Sequence, residues 1–222
     1  MDGTPLERLC AHRGVAMPAL TTAALVDLAP ALGMHPADLL AVGCVEIPGG
    51  YLPVTDGADA RRDLEKIRCA RWDVLDGLGR FARGLGSGRQ RPDRPSMPAA
   101  DRGTVGAAVC RLMRVRNTTV AWVAREAALA QSTIGRLTRD GIDGNPAAAV
   151  ATEFILRVAD ALGLPHGDFL AIVGRADEIT AAMREDDRAR PPNPLVALLR
   201  DLAPLSLDEL RQVAAQAEAA QS

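Results

Sequence analysis

The chain has 222 residues, of which 48% are hydrophobic, 24% charged and only 3% aromatic, with a formal net charge of −2. That length allows two small domains or one domain with extensions, at about 100–200 residues per domain. With so few aromatics and almost no alternation of β-branched residues, the core falls to Leu, Val, Ile and Ala, which excludes an obvious sandwich or barrel and predicts an all-α fold.

The net charge by itself argues against a nucleic-acid partner, whose usual footprint is a basic excess. Its distribution argues the other way. Between residues 102 and 139 stand Arg102, Arg111, Arg114, Arg116, Arg125, Arg136 and Arg139, against Glu126 alone. No apolar run reaches the roughly 18 residues that span a bilayer. The opening Met1-Asp2-Gly3-Thr4-Pro5 lacks the basic and apolar segments of a signal peptide. The expectation is a cytoplasmic protein with no membrane partner. Cys10, Cys44, Cys69 and Cys110 lie far apart with no C-x-x-C pair, so free thiols are expected. A zinc site from Cys10, His12, His35 and Cys44 would need irregular spacing.

In chain order, four regions separate. Residues 1–85 form an N-terminal helical region. Within it, 5–45 read as short helices, and 46–57 is rich in Pro and Gly and reads as a loop. Residues 58–85 read as one amphipathic helix with Leu64, Ile67, Val74, Leu78, Phe81 and Leu85 in an a/d pattern and Arg71 at one a position. This face either packs on its own domain or serves as a dimer helix. Residues 86–103 read as a basic linker with Arg89, Arg91 and Arg94, either a solubilising connection or an arm that reaches a minor groove. Residues 104–175 read as a helical domain, and 176–222 as a C-terminal extension. In that extension Pro191-Pro192-Asn193-Pro194 breaks the chain, and a capping box at Ser206 and Glu209 starts the last helix.

A weak repeat links LAPALGMHPADLLAV (28–42) to VADALGLPHGDFLAI (158–172). Both read as a helix, a Gly stop, a short turn and a second helix. The first copy has only about twenty residues ahead of it where a full unit needs nearer fifty, so 5–45 reads as a truncated relative without a second reading helix.

The most informative stretch is VGAAVCRLMRVRNTTVAWVAREAALAQSTIGRLTRDG, beginning at Val105. Thr119 is placed to cap a helix from Val120 that buries Val123, Ala124 and Ala127. A turn at Ala128-Leu129 leads to a second helix, from Ala130 to about Thr138, which buries Ile134 and Leu137. Trp122 then falls on the opposite, solvent side of the first helix, an exposed apolar surface that calls for a cover.

The pattern V-A-x-x-A-x-L-x-Q-S-T-I-x-x-L, Val123 to Leu137, resembles the lambda-repressor/Cro-type (XRE) helix-turn-helix family, and the likeness extends over about residues 104–174. It implies a five-helix DNA-binding domain and, for the chain, a bacterial-type transcriptional regulator. It also implies a base-reading face of Gln131, Ser132, Gly135, Arg136 and Arg139. Gln on adenine and Arg on guanine make bidentate contacts in the major groove. Arg111, Arg114, Arg116, Thr119, Arg125 and Thr133 are expected at phosphates. The partner implied is double-stranded DNA bound by a homodimer. Where the family usually has Gly in the turn, a phosphate-reaching Gln and a capping Ser, this chain has Ala128, Val120 and Ala130. Those changes and the acidic flanks support an alternative, an interaction module of the same fold that has lost DNA binding. No phosphate loop, H-E-x-x-H or nucleophile motif is found, so no enzyme activity, cofactor, metal or small-molecule ligand is expected.

Overall fold

A computed structural model describes residues 3–53, 58–86, 94–100, 103–139, 146–189 and 193–221, without the side chains at 58, 72, 146, 188 and 189. Arg89, Arg91 and Arg102 therefore lie outside the described residues. The described residues hold α-helices and short 3-10 turns and no β-strand, an all-α fold. Among them no single helix is long and apolar enough to cross a membrane.

The chain divides into two interleaved units, residues 1–47 with 98–191 and residues 48–97 with 192–222. This replaces the four consecutive regions expected from composition. The Pro-rich stretches near 48, 97 and 192 mark where the chain leaves one unit for the other, and composition alone cannot tell such a crossing from a linker.

The first unit contains α1 (Pro5–Arg13), α2 (Thr22–Leu28) and α3 (Pro36–Val42) from the N-terminal part. It continues with α6 (Val105–Val115), α7 (Val120–Glu126), α8 (Gln131–Leu137), α9 (Thr152–Leu162), α10 (His166–Ile172) and α11 (Ala181–Ala189). Helix starts follow local rules: the hydroxyls of Thr4, Thr21, Thr104 and Thr119 accept from the backbone N–H of Glu7, Ala24, Ala107 and Trp122. The described residues of segment 104–174 hold five α-helices.

The N-terminal part is built on the same plan as this five-helix segment. With Leu9 set in register with Leu112, Arg8 meets Arg111, Arg13 meets Arg116 and Gly14 meets Asn117. Gly14 and Asn117 both take the left-handed conformation, at φ 65° and 51°. The residue after each donates to the carbonyl five positions back, Val15 to Cys10 and Thr118 to Met113, at 2.9 and 2.8 Å. The repeat recognised in the sequence has matching geometry as well. Gly33 and Gly163 end their helices at φ 63° and 62°, and α3 and α10 bury the same positions, including Asp38 and Asp168. The copies are exchanged: α1 packs on α10, and α6 packs on α3.

Two ion pairs lock that exchange. The Arg13 guanidinium binds both carboxylate oxygens of Asp168, each at 2.6 Å, the fork geometry that makes Arg–carboxylate pairs strong. Arg116 Nη1 lies 2.8 Å from Asp38 Oδ1.

The second unit consists of α4 (Ala58–Arg68), α5 (Trp72–Gly86), α12 (Pro194–Asp201) and α13 (Leu207–Ala219). The single helix expected over 58–85 is broken at 69–71. Past the break the register moves: Leu75, Leu78 and Ala82 are buried, whereas Phe81 is exposed and Val74 and Leu85 are half-buried. An unbroken heptad pattern assumes one straight axis, but here α12 packs on α5, and α13 on α4 and α5. The apolar positions of 58–85 other than Phe81 are thus covered, wholly or in part, within the unit. Asn193 caps α12, and the Ser206–Glu209 box opens α13. Arg94 is no free arm, for it donates to the carbonyls of Leu52, Ala203 and Leu205, tying together the two chain segments of this unit.

Candidate nucleic-acid interface

Helices α7 and α8 are short, seven residues each, so they owe their stability to packing rather than to propensity. Val123, Ala124 and Ala127 of the first and Ile134 and Leu137 of the second are buried, the positions the spacing predicts. The turn between them closes through Ala128 N–H to the Arg125 carbonyl at 3.1 Å and Leu129 N–H to the Ala124 carbonyl at 2.8 Å. It places Ala128 at φ 52°, the left-handed region where a Cβ is unfavourable. The Thr138 hydroxyl donates to the Ile134 carbonyl at 3.2 Å and finishes α8.

Gln131, Ser132, Arg136 and Arg139 are exposed, and Thr133 and Gly135 half-buried. A Cβ at Gly135 would meet nothing within 4 Å, so this flank of α8 is open. Arg114, Thr119 and Arg125 are exposed. Arg114, Arg136 and Arg139 have no ion-pair partner among the described residues, and Arg125 Nε lies 3.4 Å from Glu126 Oε1. Thr119 already accepts from Trp122 N–H at 3.2 Å, which leaves its hydroxyl proton for an outside acceptor.

Two expected phosphate contacts are corrected. Arg116 is 0% exposed; besides the Asp38 pair, it donates to the carbonyls of Leu162 at 2.7 Å and Leu112 at 3.3 Å. Arg111 is buried and donates to the carbonyls of Pro98, at 2.6 Å, and Val45. Burial pulls the Arg111 pKa below its usual value. Both side chains hold α6 to the N-terminal copy and do not face solvent. Counting arginines in a basic stretch cannot separate the face of a helix that meets solvent from the face that meets another helix.

Trp122 is also corrected. It is 5% exposed, because α7 packs on both α8 and α9 and two of its flanks are covered instead of one. Of the surfaces that called for a second subunit, Trp122 is satisfied within the chain, and so is the 58–85 face except at Phe81.

Sequence reading missed the roles of Arg8, Arg13, Asp38 and Asp168. Arg8 donates to the carbonyls of Ala171 at 3.2 Å and Ile172 at 2.8 Å, closing the end of α10. The signal was present: the two Asp are shared positions of the repeat, and each paired Arg sits just before a left-handed residue. A polar cluster adjoins them. Asp187 of α11 accepts from the N–H groups of His166 and Gly167, both at 2.7 Å. His12 Nε2 lies 3.7 Å from Asp168 Oδ1. Among the described residues no three His, Cys, Asp or Glu side chains form a group able to hold a metal ion.

No protein-family model matches this chain, nor does any curated protein or solved structure.

Proposed function

We propose that this chain is a sequence-specific DNA-binding transcriptional regulator that reads the major groove with α8. The observation that carries the reading is the open flank of that helix. Gln131, Ser132 and Arg136 face outward while Ile134 and Leu137 anchor the other side, and Gly135 leaves room for close approach. A major groove about 12 Å wide accepts such a helix, and Gln and Arg offer the two commonest bidentate contacts to adenine and guanine. Arg114, Arg125 and Arg139 supply exposed charge for phosphates nearby. The sequence resemblance to the lambda-repressor/Cro-type family supports the same reading, as does the five-helix segment that carries the motif. In this reading the protein works in the cytoplasm, where bacterial-type DNA is reached, and needs no cofactor.

The test is selection of bound duplexes from a random pool, followed by a salt titration on the enriched sequence. An enriched motif is expected, with affinity falling steeply as salt rises, by a log–log slope of about −0.9 per phosphate contact. Absence of any enriched motif, with no salt-dependent binding, would refute the proposal and favour an interaction module that kept the fold without the DNA contact.

A further inference from the structure

The first unit has the build of two copies of one module joined face to face, but only one copy has a reading helix. In the C-terminal copy, α6 is joined to α9 by residues that carry α7 and α8. In the N-terminal copy, the equivalent connection from α1 to α2 is the short segment Gly14-Val15-Ala16-Met17-Pro18-Ala19-Leu20-Thr21. That segment contains no helix, and none of its residues carries a charge.

Helix-turn-helix readers that act as two-fold dimers gain specificity by setting two recognition helices on successive major-groove turns, about 34 Å apart. Such a pair needs a face on which one module meets another. In this chain that face is filled from within. Helix α1 of one copy lies on α10 of the other, and α6 lies on α3. The Arg13–Asp168 and Arg116–Asp38 pairs sit at equivalent places in the two contacts, and Asp38, Arg116 and Asp168 are buried there. Each buried carboxylate already has its arginine within the one chain, so this face holds no unmet charge for a second chain to satisfy. Trp122 is already covered, and of the apolar positions of α4 and α5 only Phe81 stays exposed, so neither offers a continuous apolar surface to a second chain.

We infer, on the basis of the DNA-reading proposal above, that the chain is a single-headed reader: one chain binds one unsymmetrical site within one turn of the duplex. The site has no dyad. Its information lies in the few base pairs that Gln131, Ser132, Arg136 and Arg139 can reach, and the mate of the reading head makes no base contact.

The experiment uses the full chain and the duplexes enriched from a random pool. The symmetry of the enriched motif is read from the sequences, and the number of chains per duplex from the mass of the complex at saturation. An unsymmetrical motif, one chain per duplex and a binding curve without cooperativity are expected. Doubling the motif as an inverted repeat should then yield two independent binding events with unchanged affinity for each. A palindromic motif occupied cooperatively by two chains overturns the single-headed inference and leaves base reading by α8 intact. A pool in which no sequence is enriched removes the DNA-reading proposal and this inference together. The Arg136→Ala variant separates these cases further: it should lose the motif preference while remaining monomeric and folded, and retention of the preference would place reading elsewhere.

Discussion

Arg116 Nη1 stands 2.8 Å from Asp38 Oδ1, joining the end of α6 to α3 across most of a hundred residues of sequence. Neither side chain reaches solvent. The arginine also caps the last carbonyls of α9 and α6 through Leu162 and Leu112, so one guanidinium fixes three helices around the start of α7. Removing one partner of a buried pair leaves an uncompensated charge and typically costs about 3–5 kcal/mol. Asp38→Ala and Arg116→Ala should each lower the unfolding free energy by an amount in that range, read as a lower urea midpoint at unchanged slope. The double replacement Asp38→Leu with Arg116→Met should be milder than the sum of the singles. Additive losses would show that the two side chains do not interact.

Gly135 offers a test in which folding and DNA binding move in opposite directions. Nothing lies within 4 Å of a Cβ placed there, and Ala is favoured over Gly in a helix by about 1 kcal/mol. Gly135→Ala should therefore stabilise the free protein. If α8 enters a groove, the added methyl meets the DNA, and affinity for the selected site should fall. A stabilised variant with unchanged affinity would remove Gly135 from the interface.

The exposed arginines should divide by role. Arg136→Ala should cost about 1–3 kcal/mol on the preferred site and relax the preference at one base pair. Arg114→Ala should weaken binding to all sequences alike and reduce the salt slope by about one contact. Competition assays on the selected and a scrambled duplex, each at several salt concentrations, distinguish the two patterns. An identical, sequence-independent loss from both variants would mean that α8 does not read bases.

Ala128 holds a left-handed conformation at φ 52°, where a side chain costs roughly 1–2 kcal/mol and glycine is free of that penalty. Part of the gain is offset by the larger entropy of an unfolded glycine. Ala128→Gly should raise the thermal midpoint while leaving the turn between α7 and α8 unchanged. A drop in stability would mean that the Ala128 methyl makes packing contacts worth more than the strain.

Acid should loosen the contact between α1 and α10. Burial, the largest cause, lowers the His12 pKa; Asp168 and Asp187 oppose that, and Arg13 and Arg184 add to it. A folded-state pKa below the unfolded value of about 6.5 means that the unfolded chain binds the proton more readily. This contribution to stability is thus complete above about pH 6.5 and lost as the pH falls through the folded-state value. Urea midpoints measured from about pH 7.5 down to about pH 5.5 should fall in the wild type and fall less in His12→Gln. Equal slopes in the two proteins would assign the acid response to other groups.

Local rules were legible without coordinates. The Thr119 cap, the Ser206–Glu209 box and the buried set from Val123 to Leu137 all follow from spacing within a few residues. So does the helix–Gly–helix repeat at Gly33 and Gly163, whereas the outward positions Gln131, Ser132 and Arg136 came from the family resemblance. Less legible was anything that turned on a neighbour far away in the chain. Arg114 and Arg116 look alike in sequence, two positions apart on one helix, yet the first is exposed and the second fully buried. Helical spacing sets the two on opposite flanks, with Arg116 on the side of Leu112, but that this flank meets Asp38 is decided by the distant helix α3.

An all-α chain, its helix caps and stops, and the amphipathic pattern of α7 and α8 are written in the order of residues alone, because each depends on hydrogen bonds and side-chain spacing within one or two turns. That the N-terminal copy and segment 104–174 exchange helices emerges from long-range packing. Long-range packing also turns Arg111, Arg116 and Trp122 inward and breaks 58–85 so that it packs on α12 and α13. The physical reason is that a helix with one polar and one apolar flank states which side is to be buried, but not how many neighbours will cover it. A second covering helix, arriving from a distant part of the chain, turns an apparent surface into a core.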